Sequence, residues 1–156
     1  MGLFGGIRKE DGGLKAGFRE MKWGEAPRPG MTLLDENGPD RFFTTEGDDL
    51  SLGGASVTRI IYKYWQNRLS EVQIEIPPAS VEPVFKHLQA EWGKPERPNR
   101  FIEDYFWQND KQGVEATSAS ISKNPNTRVG TLLIQSRYIQ AKRTLIPSPE
   151  PPVAKP

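Results

Sequence analysis

The chain reads as an α+β domain: an antiparallel β-sheet of about five to seven strands with one main amphipathic helix packed on one face. Three observations lead there. Residues 56–76 alternate apolar and polar side chains, the period of a half-buried sheet. The segment that follows carries apolar residues at helical spacing, and residues 100–137 hold three more runs rich in β-branched and aromatic side chains, separated by turn chemistry.

In the alternating stretch, Val72, Ile74 and Ile76 point one way while Glu71, Gln73 and Glu75 point the other, as in a sheet with one wet face. Ile60, Tyr62 and Tyr64 share a face opposite Arg59, Ile61 and Lys63. The connection at Gln66-Asn67-Arg68 suits a tight turn because Asn tolerates positive φ. Upstream, residues 31–34 and 41–45 flank an Asn/Asp/Gly-rich reversal and predict a shorter hairpin, while residues 47–54 read as a loop.

Pro77-Pro78 ends the long hairpin, since proline has no N–H for the ladder. A helix over 80–92 follows, with Ser80 as N-cap, Glu82 in the first turn and Pro83 early enough to displace no intrahelical bond. Val81, Val84, Phe85, Leu88 and Trp92 form its buried stripe, and Gly93 with Pro95 stops it. Strands over 100–108, 114–122 and 128–137 complete a meander, the last with the composition of a central strand.

The expected organisation is a flexible N-terminal arm over 1–17, a single α+β domain over 18–140 and a disordered Pro-rich tail over 141–156, where five of the last ten residues are proline. Two loops echo one another, Lys22-Trp23-Gly24 through Pro29 and Glu91-Trp92-Gly93 through Pro98, which a duplicated half-domain or a coincidence of loop chemistry would each explain.

Composition narrows function by exclusion. The 156 residues include no cysteine, so disulfides, thiolate zinc sites and cysteine nucleophiles have nothing to be built from. The net charge is +1 with most of the basic excess near the ends, and a near-neutral body argues against a duplex-binding surface. The first residues lack the apolar core of a secretory signal and no run is long enough to span a bilayer, so a cytoplasmic location is expected.

The residues Gly17-Phe18-Arg19-Glu20-Met21-Lys22-Trp23-Gly24, then Asp49-Leu50-Ser51-Leu52-Gly53-Gly54-Ala55, then Arg59-Ile60 and Pro98-Asn99-Arg100-Phe101 resemble the punctuation of a family of small uncharacterised bacterial proteins. Its members open with a Gly-Phe-Arg-x-x-Lys-Trp-Gly pattern, and the resemblance covers about residues 17–136. It implies a bacterial source and a shared domain. It implies no mechanism.

No segment announces catalysis. Paired carboxylates at Asp48/Asp49, Glu71/Glu75 and Glu103/Asp104 are read as solvated or divergent, no metal ligand set is assigned, and His87 stands alone on the polar side of its helix. No cofactor is implied. The strongest functional feature is aromatic: Tyr62, Tyr64, Trp65, Tyr105, Phe106 and Trp107 lie on two strands, and one helix is a small cover for a wide sheet. Arg59, Tyr62, Tyr64, Tyr105 and Trp107 are therefore the candidate ligand or partner surface, set against their ordinary use as core. The leading expectation is a non-enzymatic binding or interaction module, with a homodimer or protein partner on an exposed sheet face. The alternatives are a small hydrolase using carboxylates of the 46–56 loop and a weak single-strand nucleic-acid binder.

Overall fold

The computed structural model describes residues 13–145. In chain order the strands are β1 (Gly17–Phe18), β2 (Met21–Lys22), β3 (Met31–Asn37), β4 (Asp40–Thr45), β5 (Ser51–Leu52), β6 (Ala55–Ser56), β7 (Arg59–Trp65) and β8 (Arg68–Ile76). Helix α1 (Pro78–Trp92) follows, then β9 (Asp104–Gln108), β10 (Thr117–Lys123), β11 (Gly130–Ser136) and a second helix, α2 (Arg137–Leu145). Seven strands form one antiparallel sheet in the order β3-β4-β7-β8-β11-β10-β9, while β1-β2 and β5-β6 are two-stranded ribbons beside it. The protein is thus α+β, with the sheet at the upper end of the expected size.

The β7–β8 turn places Gln66 and Asn67 at φ 50° and 65°, the left-handed pair of a two-residue hairpin loop. Ile60 lies opposite Ile74 and Tyr62 opposite Val72, so the apolar sets share one face; the register then shifts beyond Lys63, leaving Ser70 as the extra residue of a bulge. β11 pairs with β8 on one side and β10 on the other, the central position its composition predicts.

Helix α1 starts two residues earlier than its sequence suggests. Pro77 occupies the cap position, Pro78 the first turn, and Ser80 is buried inside the helix with no side-chain cap bond at its start. Pro78 fits there because its missing N–H would have had no partner. The longer helix also puts Pro83 in its interior, where its missing N–H would otherwise have reached back to the exposed Ala79 carbonyl. Val84 and Leu88 are fully covered, and Val81, Phe85 and Trp92 complete the stripe.

The strand expected over 100–108 begins only at Asp104. Residues 100–103 turn instead, with the Asn99 side chain accepting from the Phe101 N–H (2.9 Å) and leaving Phe101 82% exposed. The run expected from residue 114 opens with a 3₁₀ turn over Gly113–Glu115 before β10 begins.

Two further differences concern the ends. Leu14 is buried, and the Lys15 carbonyl accepts from the Thr117 hydroxyl (2.9 Å), so residues 14–17 pack on the sheet. α2 runs past residue 140 to Leu145; its first residue, Arg137, donates to both oxygens of Asn109 (2.6 and 2.9 Å), and Arg143 reaches Asp40 at the start of β4 (2.6 Å). Residues 1–12 and 146–156, the remainder of the expected arm and tail, lie outside the described residues. No helix among the described residues is long and apolar enough to cross a membrane.

The two Trp-Gly loops share a local geometry, Gly24 and Gly93 having φ 90° and 88°. One follows the β1–β2 ribbon and the other ends a helix, so their likeness is one of loop chemistry within different surroundings.

Candidate ligand cleft

The aromatic residues singled out from sequence do not form an open platform. Tyr62, Tyr64 and Trp107 are 2%, 0% and 5% exposed on the face that α1 covers. Tyr105 is half-buried against Phe85, with ring centroids 4.6 Å apart and the Arg97 guanidinium 5.2 Å from the Tyr105 centroid. Arg59 is exposed on the opposite face and pairs with Glu75 (3.5 Å). The physical reason is a second cover. Phe18, Met21 and Trp23 pack on the sheet beside α1, with Phe18 against Tyr62 and the Trp23 indole donating to Thr117 (2.8 Å).

The opposite sheet face is polar and bonded to itself. Glu71, expected to be solvated, is buried; its carboxylate accepts from Gln73 (2.6 Å) and Gln135 (2.9 Å), with the Lys63 ammonium 3.9 Å away. A carboxylate this enclosed needs such partners, and here they come from three neighbouring strands.

What the fold does bring together is two of the four segments that carried the family resemblance, residues 17–24 and 49–55. Arg19 sits in the β1–β2 turn at φ 56°, a conformation costly for a residue with a β-carbon. Its guanidinium lies 4.9 Å from the Phe18 ring centroid and donates to the Asp49 carbonyl (3.0 Å), the Ser51 carbonyl (2.8 Å) and the Asp48 carboxylate (3.3 Å). Asp48 in turn accepts from the Tyr62 hydroxyl (2.7 Å) and the Asp49 N–H (2.9 Å). Burial, then the bond to Asp48, pushes the Tyr62 pKa well above its ordinary value of 10, so this hydroxyl is a fixed donor.

This buckle closes one side of a cleft of about 330 Å³ between the N-terminal segment, the 49–53 loop and the second half of α1. Phe18, Leu88, Leu132 and Ile134 supply apolar lining; Lys15, Ser51, His87 and Glu91 add polar groups. Both lips rest on α1 through glycine. A β-carbon on Gly13 would lie 2.2 Å from the Glu91 carbonyl oxygen, and one on Gly53 would lie 2.3 Å from the His87 ring. Both glycines have φ +61°, and their contacts are one helical turn apart. Arg19 also borders a second cleft of about 320 Å³, lined by Arg28, Met31, Asp48 and Tyr62 among others.

Arg19, Asp48 and Gly53 were visible in sequence as parts of short patterns, without any sign that they meet. Among the described residues, no three of His, Asp and Glu converge as a metal ion would need. Fold and cleft define an α+β sheet protein with a cleft on its helix-covered side. Comparison with protein-family models, curated proteins and solved structures gave no match.

Proposed function

We propose that this chain is a non-enzymatic binding module whose ligand, a small molecule with an apolar body, lies in the cleft between Gly17–Arg19, Asp49–Gly53 and α1. The observation that carries this reading is that the chain itself holds both lips: each touches α1 through a glycine, and Arg19 ties one to the other. A site already held in shape avoids the ordering cost of binding. Its volume falls at the lower end of the range for small-molecule sites, and a mainly apolar lining with a few polar groups is their usual composition.

The hydrolase reading needs a carboxylate available for proton transfer. Of the three carboxylates in the 46–56 loop, Asp48 accepts from Tyr62, Arg19 and a backbone N–H, Asp49 accepts from the Ser51 hydroxyl (2.6 Å), and Glu46 is exposed, so the two nearest the cleft are engaged within the protein. Single-strand binding through stacked bases needs open rings, and Tyr62, Tyr64 and Trp107 are covered.

The test is a fragment screen by amide NMR on the ¹⁵N-labelled chain. Alkyl and aryl fragments should shift the amides of Arg19, Gly53 and His87 together, and Ser51→Phe, which places a ring at the rim, should abolish the shifts. Fragments that cluster on Ile61 and Leu133 of the opposite face, or none that reach the cleft, would overturn the reading.

A further inference from the structure

The cleft adjoins the point at which the described residues begin. Gly13, Leu14 and Lys15 form part of its wall, so the chain ahead of them departs from the cleft's own lip. Gly13 is pinned there: its φ is +61°, and a β-carbon on it would meet the Glu91 carbonyl in the last turn of α1. The sequence ahead of that lip is Met1-Gly2-Leu3-Phe4-Gly5-Gly6-Ile7-Arg8-Lys9-Glu10-Asp11-Gly12, which sets Leu3, Phe4 and Ile7 among four glycines. The cleft itself is lined by large apolar side chains, Phe18, Leu88 and Ile134 among them.

We propose that this cleft has an occupant within the chain itself: residues 3–7 turn back from Gly13 and set Leu3 and Phe4 against its apolar wall, so that a ligand must displace them. The inference rests on the cleft being the binding site and adds the regulation of that site. Reach permits it. Phe4 lies nine residues before Gly13, a length of about 30 Å when extended, and the glycines at 5, 6 and 12 allow the chain to reverse. Volume fits as well. The cleft, at about 330 Å³, is roughly twice the ~150 Å³ apolar cavity that holds one benzene, which leaves room for a phenyl ring and a leucyl side chain. Tethering does the rest, because a short flexible linker keeps its segment at an effective concentration of order millimolar beside the site. A weak contact then competes with a free ligand.

The absence of cysteine lets a spin label be placed at one chosen position of the full chain. A nitroxide on Gly2→Cys should broaden the amides of Arg19, Gly53 and His87, and adding Phe4→Ser should remove that broadening while Phe4→Leu keeps it. Fragment binding gives the second readout. A plug that fills the site about nine-tenths of the time weakens apparent affinity about tenfold, so Phe4→Ser should tighten alkyl and aryl fragments by about that factor. No broadening at the cleft, or broadening that persists in Phe4→Ser, would overturn the proposal. So would fragments that bind parent and Phe4→Ser equally, although the binding reading would then stand. Fragments that bind neither chain while the label still broadens the cleft amides would sink the binding reading and keep the internal occupant.

Discussion

The indole N–H of Trp23 donates to the hydroxyl of Thr117, 94 residues further along the chain, at 2.8 Å. That hydroxyl donates in turn to the Lys15 carbonyl at 2.9 Å, so one threonine anchors residues 15 and 23 together. Both bonds lie within the second cover of the sheet, and they explain how the short segment from Gly13 to Gly17 comes to pack at all.

Thr117→Val keeps the shape of that side chain and removes its oxygen. The buried Trp23 N–H and the Lys15 carbonyl then lose their partner, and we expect a loss of about 1–3 kcal/mol in chemical denaturation. Thr117→Ser, which keeps the hydroxyl, should lose much less. Equal losses in the two variants would show that methyl packing, not the bond, anchors the segment.

Gly53 and Gly54 separate backbone strain from close approach. Both have positive φ, but only Gly53 faces a neighbour, His87; nothing lies within 4 Å of a β-carbon on Gly54. Gly54→Ala should cost about 1–2 kcal/mol from its left-handed backbone alone. Gly53→Ala should cost more and also shift the His87 resonances, since the loop must lift from α1. The comparison is made by denaturation and NMR on the same samples.

Tyr62 and Tyr64 link stability to alkaline pH. Burial raises both above their ordinary pKa of 10, with Asp48 adding to the effect at Tyr62. The sign follows from proton binding: above pH 10 the unfolded chain releases these protons while the folded chain keeps them, so stability is full below pH 10 and falls as pH rises beyond it. Stability measured from pH 9 to 12 should decline less steeply in Tyr62→Phe than in the parent chain. A parallel decline would remove Tyr62 as a source.

Much of the fold was legible because its signals are local. The alternation of Val72, Ile74 and Ile76, the positive-φ turn at Gln66-Asn67 and the apolar stripe from Val81 to Trp92 each need only a few neighbouring residues to be read. The boundaries that moved did so where two local rules compete: Ser80 is a good cap, but Pro78 is a better first-turn residue than a strand end. At the candidate site only fragments were readable. Arg19 follows Gly17-Phe18 in a recognisable pattern, yet nothing near it in sequence names Asp48 or Ser51 as its acceptors.

The order of hydrophobic periods along the chain was enough to specify an antiparallel sheet with a helix on it, because each element's pattern is set by its own backbone geometry. Which face would remain open was a question of a different kind. It depended on whether Phe18, Met21 and Trp23 would cover Tyr62 and its neighbours, and on whether two glycines would let the N-terminal segment and the 49–53 loop approach α1. Those contacts join residues tens of positions apart. Their geometry exists only once the sheet has brought the strands together, so the aromatic face became core and the cleft formed beside it.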